Sequence, residues 1–210
     1  MAKYALGCLG IILIVFVLVL VGGCGAYNRL VRLSQDVDSQ WAEVQTQYQR
    51  RADLIPNLVN TVSGAANFEK STLVEITNAR ASVGQVKLDP SKAPTDPQQL
   101  AQFQAAQNQL GGALSRLLVV AERYPDLQAN SNFRDLQAEL EGTENRIAVA
   151  RKNFNDSTQA YDTAIKTLPT VLFAAAAGFT NKPYFEATPG SEKPPTVNFN
   201  FGGVSPAPSP

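Results

Sequence analysis

Histidine is absent from this chain of 210 residues. That absence removes the commonest general base, the usual partner of a Ser or Cys nucleophile, and the commonest zinc ligand. Cysteine occurs only at Cys8 and Cys24, both in one apolar stretch, so the remainder can form no disulfide and no thiolate metal site. An excess of one charge is lacking too. Lys plus Arg and Asp plus Glu number 18 each, so no positive field is available to hold a polyanion, and no nucleic-acid partner is expected. No window sustains an alternation of period two, so no sheet is expected. Carboxylates such as Glu139 and Glu141 do not share a helix face, and a Glu-x-x-His pair cannot exist here, so a di-metal site between helices lacks its usual ligands. No catalytic residue, cofactor or metal site is expected, and the chain does not read as an enzyme.

What the sequence has in quantity is one uncharged apolar run, Tyr4 to Tyr27. Its centre is unbroken: Ile11, Ile12, Leu13, Ile14, Val15, Phe16, Val17, Leu18, Val19, Leu20 and Val21. A helix rises about 1.5 Å per residue, so roughly 20 apolar residues cross a hydrocarbon core about 30 Å thick. The run is expected to anchor the chain in a membrane. Two forms of anchor stay open. One is an uncleaved single-pass span. The other is a lipoprotein acylated at Cys24, since Val21-Gly22-Gly23-Cys24 loosely matches an aliphatic-small-small-Cys processing site. Positive charge near the ends is nearly balanced, with Lys3 on one side and Arg29 and Arg32 on the other. The short amino end with its Lys3 favours an extracytoplasmic body.

Beyond the anchor, apolar residues recur at three and four: Leu30, Leu33, Val37, Trp41, Val44, Tyr48, Ala52, Ile55, Val59 and Val62, a helical stripe with one wet face. Pro56 interrupts it, and with Asp53 placed as a cap the segment Arg51 to Pro56 reads as a kink or tight restart. A second helical stretch is expected from Asn57 to Val86. Lys87 to Gln98 is a proline-rich loop closing on a helix start, Thr95-Asp96-Pro97. The third helix runs through Leu100, Phe103, Leu110, Leu114 and Leu117. Its Gly111-Gly112 pair costs roughly 1 kcal/mol per glycine against alanine, for which close approach of a neighbouring helix is the expected compensation. The fourth helix spans Ser131 to Leu168, and a short helix after Pro169 ends near Gly178. The expected architecture is all-α, an antiparallel up-and-down four-helix bundle behind the anchor. Three parts are expected: anchor 1–26, helical domain 27–186, and a Pro/Gly/Ser-rich tail 187–210 too polar to order itself.

Tyr48-Gln49-Arg50-Arg51-Ala52-Asp53-Leu54-Ile55-Pro56-Asn57-Leu58-Val59 resembles the signature of the LemA family. The resemblance continues in order through Trp41, Glu69, Ala79-Arg80, Tyr124 to Asn130, Gly142-Thr143-Glu144-Asn145, Ala150-Arg151, Asn155, Pro169, Gly178-Phe179 and Tyr184-Phe185. It covers about Tyr27 to Glu186. It implies a bacterial, membrane-associated helical bundle of poorly defined activity, and one relative takes part in magnetosome formation. It carries over no catalytic residue. Departures are local: Ala65 and Phe68 stand where the family often has an aromatic and a histidine, and Phe154, Asp162 and Leu168 stand where Tyr, Asn and Phe are expected.

Three groups of residues invite a functional reading beside a structural one. Arg50, Arg51, Asp53 and Asn57, with Pro56, form either a recognition patch for a partner or a set of caps and ion pairs. Glu144, Arg151 and Asn155 lie on one helix face, to bind something between the helices or to form a solvated charge ladder or an inter-helix pair. Trp41 with Phe179, Tyr184 and Phe185 mark a docking surface or core packing. The alternating Val197-Asn198-Phe199-Asn200-Phe201 could add as a strand to a partner's sheet edge. Together these point to a membrane-anchored scaffold or adaptor with an unidentified envelope protein partner. A bundle that self-associates and remodels the bilayer, and an envelope sensor of a small ligand, remain as alternatives.

Overall fold

The computed structural model describes residues 2–65 and 68–186, without the side chains of residues 2–9, 11–12, 15–16 and 18–20. The expected tail 187–210, including the alternating segment around Phe199, lies outside the described residues. Helix α1 (Ala2–Ser63) is followed by α2 (Lys70–Gln85), α3 (Pro97–Ala121), α4 (Pro125–Ala129), α5 (Ser131–Lys166) and α6 (Val171–Ala174). Among the described residues there is no strand, and the fold is all-α.

Two boundaries differ from the sequence-based expectation. No restart divides the chain at Pro56, because α1 is one helix of 62 residues with that proline inside it. Asp53 caps nothing; its carboxylate accepts from Gln49 Nε2 at 2.7 Å, one turn back on the same helix. The proline still withdraws one amide from the ladder. The cost is met by packing on both sides of it, where Ile55 and Leu58 are buried. The break instead falls after Ser63, at Gly64, where the residue with the most backbone freedom to lose ends the helix.

The local start and stop signals act where they stand. Asp96 Oδ1 accepts from the Gln98 amide at 2.8 Å ahead of Pro97, and Asn130 Oδ1 from the Asn132 amide at 2.9 Å at the start of α5. After α6 the Gly178 and Phe179 amides donate to the Ala175 and Ala174 carbonyls at 3.2 and 3.0 Å. Gly178 has φ of 78°, which completes a Schellman ending that favours glycine.

α1 packs most extensively on α5 and α2 on α3. Cross-helix pairs fix the directions. Asp36 meets Ser157, Arg50 meets Glu139 and Arg51 meets Glu144, so α1 and α5 are antiparallel. Phe68, just before α2, contacts Tyr124, just after α3, with ring centroids 5.1 Å apart.

Buried apolar side chains gather in two clusters. The first contains Leu30, Val37, Trp41, Val44, Tyr48, Phe103, Ile147, Phe154 and Phe185. The second contains Ile55, Leu58, Val62, Ile76, Leu110, Leu114, Leu117, Phe133 and Leu140. Between them α1, α3 and α5 contribute buried Arg51, Gln107 and Thr143. The glycine pair of α3 belongs to this level and does not serve close helix approach. A Cβ at Gly111 would lie 3.7 Å from Arg51 Nη1, and one at Gly112 would meet nothing within 4 Å. Nothing in the structure explains Gly112.

Among the described residues no helix is long and apolar enough to cross a membrane. Within the expected anchor, the side chains of Ile11, Ile12, Val15, Phe16, Leu18, Val19 and Leu20 lie outside the described residues. Leu13, Ile14, Val17 and Val21 are exposed on α1, and Cys24 is an exposed free thiol.

Candidate functional site

Arg51 follows Tyr48 by three positions, which points both side chains inward from one face of α1. Its side chain is 4 % exposed, and Nη1 donates to Glu144 Oε1 of α5 at 2.9 Å. Nη2 donates to the Gln107 carbonyl of α3 at 3.1 Å and to Gln107 Oε1. The guanidinium also lies over the Tyr48 ring, 5.1 Å from its centroid. One planar cation thus joins three helices, which its fork of donors allows and an ammonium does not. Arg51 Nε is buried without a hydrogen-bond partner among the described residues. Burial pushes the Tyr48 phenol above its usual range, an effect that the Arg151 and Arg51 charges oppose.

The rest of the expected polar cluster does not converge with Arg51. Arg50 points outward and pairs with Glu139 at 3.3 Å, both half exposed. Asp53 and Asn57 are exposed, and Pro56 is half-buried within the helix. Arg50, Asp53 and Asn57, spaced at three and four, share one exposed face of α1, where Arg50 and Asp53 line the same groove. Arg51 faces the interior instead.

A second arrangement is built by the extended segment that follows Phe179. This strap, residues 180–186, is held through its backbone. Asn155 of α5 donates Nδ2 to the Phe185 carbonyl at 3.0 Å and accepts from the Phe185 amide at 2.9 Å. Gln104 of α3 does the same with Glu186, donating at 2.7 Å and accepting at 3.2 Å. A side-chain amide carries one acceptor and a donor group side by side, as a neighbouring strand would, so each side chain replaces one rung of a sheet. Arg151 Nη2 adds a bond to the Glu186 carbonyl at 2.9 Å and stacks on the Phe185 ring at 4.7 Å. Phe185 is buried against Trp41 and Phe154, with centroids 6.1 and 5.5 Å away.

Nearer α6, the Lys182 amide donates to Asp162 Oδ1 at 3.1 Å. The Lys182 ammonium, only 7 % exposed, reaches Asp38 Oδ1 at 2.8 Å and the Ser34 carbonyl at 3.4 Å. Tyr161 donates its hydroxyl to the Thr180 carbonyl at 3.0 Å. Burial, with the Asp162 carboxylate close by, raises the pKa of both Tyr161 and Tyr184. Asp38 also accepts from the Ala93 amide at 3.0 Å, and Trp41 Nε1 donates to the Asp89 carbonyl at 2.9 Å, so the loop between α2 and α3 is tied to the same level. Ser91 donates its amide and hydroxyl to Asp89, which lowers the pKa of that exposed carboxyl.

The face carrying Glu144, Arg151 and Asn155 is taken up within the chain: Glu144 forms an inter-helix pair with Arg51, and Arg151 and Asn155 hold the chain's own strap. Trp41 and Phe185 are core residues, whereas Tyr184 is 40 % exposed. Sequence reasoning passed over Gln104, Asp38, Asp162 and Lys182, whose partners lie 82, 144 and 20 positions away. Among the described residues no group of three or more His, Cys, Asp or Glu could hold a metal ion.

A family model described as "LemA family" matches residues 40–199 of this chain. The chain is 28 % identical over 183 residues to "Magnetosome protein MamQ" of Magnetospirillum gryphiswaldense, covering 80 % of this chain and 67 % of that protein. With "Magnetosome protein MamQ 2" of Paramagnetospirillum magneticum it shares 25 % identity over 187 residues, with the same coverage. "Protein LemA" of Metamycoplasma hominis is 24 % identical over 164 residues, covering 78 % of this chain and 70 % of its own length.

Proposed function

The chain belongs to the LemA family, and on that premise we propose that it is a membrane-anchored helical scaffold of the bacterial cell envelope. The observation that carries this reading is the continuity of α1. One helix, Ala2–Ser63, contains the uncharged run and then contributes buried side chains to both apolar clusters. The body is therefore joined to the anchor by helix and not by a linker. In this reading the four long helices act as an up-and-down bundle, the anchor is a single-pass span, and the body faces the extracytoplasmic side. In this reading the body and the residues that follow Glu186 engage a protein partner.

A second reading is a body that self-associates on the bilayer and shapes it. The similarity to proteins named for the magnetosome favours it. Full-length protein reconstituted in liposomes separates the two. A scaffold resists alkaline carbonate extraction, leaves the vesicles spherical at rising protein density, and loses its membrane recovery when residues 2–26 are deleted. Tubulated vesicles would establish the second reading. A mass beginning at acylated Cys24, abolished by Cys24→Ala, would replace the span by a lipid anchor.

A further inference from the structure

We propose that the turn at residues 168–178, built around α6, is a second membrane contact that lies in lipid beside the apolar run of α1. The inference rests on the membrane-anchored reading above and extends it to a surface of the helical body. No charged residue occurs between Lys166 and Lys182. Within that interval Leu168 is 75 % and Leu172 69 % exposed, and Ala175 to Ala177 are exposed as well. Large apolar side chains grouped in this way mark a surface that something apolar covers.

The position of the turn identifies that covering as lipid. The Phe173 ring packs on α1 at Gly23, where a Cβ would stand 3.0 Å from Phe173 Cε1. Gly23 lies in the last turn of the uncharged run, and about 20 residues counted back from Cys24, the length that crosses a hydrocarbon core, reach Ala5. The turn therefore sits level with the edge of the hydrocarbon. Just beyond, Tyr27 and Phe179 bring their rings within 5.7 Å, with Tyr27 half exposed, as suits an aromatic at the lipid–water boundary. Arg29 and Arg32 follow on the aqueous side.

Much of the turn's backbone is bonded internally, which suits a segment beside lipid. The amides of Val171 to Ala174 and of Ala177 to Phe179 all donate to carbonyls between Thr167 and Ala175, and the Thr170 hydroxyl donates to the Thr167 carbonyl.

The test uses the full-length chain with Cys8 and Cys24 replaced by Ser, carrying an environment-sensitive fluorophore at a single introduced cysteine, in phosphatidylcholine–phosphatidylglycerol vesicles doped with spin-labelled lipid. Reporters are Leu172→Cys and Leu168→Cys, with Val17→Cys for the span and Val119→Cys, exposed on α3, as the aqueous control. The expected result is loss of emission at positions 17, 168 and 172 and none at 119. Quenching at 17 alone would overturn the proposal and leave the anchor standing. Absence of quenching at 17 would overturn the anchored reading and this inference with it. A blue-shifted but unquenched signal at 168 and 172 would assign the turn to a protein contact, a second copy or a partner, and overturn the lipid assignment.

Discussion

Arg51 holds the centre of the molecule with a charge that is almost wholly out of water. Its attraction to Glu144 and Gln107 offsets a desolvation cost, so the pair is poor evidence of net stability, yet removing one member leaves the others unmatched. Arg51→Ala should lower the unfolding free energy by about 3 kcal/mol, and Arg51→Lys should fail to restore it, because one ammonium cannot serve both partners in plane. Arg50→Ala, next in sequence, should change it by under about 1 kcal/mol, since its partner Glu139 is shared with water. Urea titration of the three variants checks the contrast. The pattern around Pro56 singles out both arginines but cannot separate them. Only the helical phase set by Tyr48 and Ile55 turns one inward and the other outward.

The strap is the element that the sequence concealed. Periodicity and capping signals located α3 at Asp96-Pro97, the start of α5 at Ser131 and the end of α6 at Gly178, because each signal acts within one turn of its own residue. An extended segment carries no such local signature. Its partners are Gln104 and Asn155 on other elements, and its aromatics look the same whether they dock a partner or fill a core. For the same reason Pro56 suggested a break that tertiary packing overrides, while Gly64 made the break without comment. Asn155→Ala removes both of its bonds to Phe185, a loss of about 1 kcal/mol for each. Hydrogen exchange should then speed up at the Phe185 amide while the amides of mid-α5 keep their protection. Gln104→Ala should do the same at Glu186. Unchanged protection at these amides would mean that burial of Phe185 alone holds the strap.

At the scale of the whole molecule, two apolar clusters are stacked along the same helices with a polar level between them. Such a division could let each half unfold by itself. It should not here, because α1, α3 and α5 pass through both, and melting either half would strip the other of helix ends and of Arg51. Trp41, the single tryptophan, reports only on the first cluster, whereas far-UV circular dichroism reports on all helices. The two urea transitions should coincide within error; separated midpoints would show that the polar level is a fault line. The helical class was legible because the stripes are long. The two-storey core was not, since each polar member of the dividing level sits on a different helix and looks, in its own window, like an ordinary wet position.

The unbroken course of α1 has a mechanical consequence. From Tyr27 to Ser63 it extends about 55 Å at 1.5 Å per residue. If α1 spans a bilayer as proposed, it adjusts to a change in thickness by tilting, and a continuous helix turns a tilt of about 10° into roughly 10 Å of travel at its far end. The far end carries the junction with α2 and the ring pair of Phe68 and Tyr124. On the anchored reading proposed above, the protein would act as a pointer, carrying a change in the lipid at one end into displacement at the other.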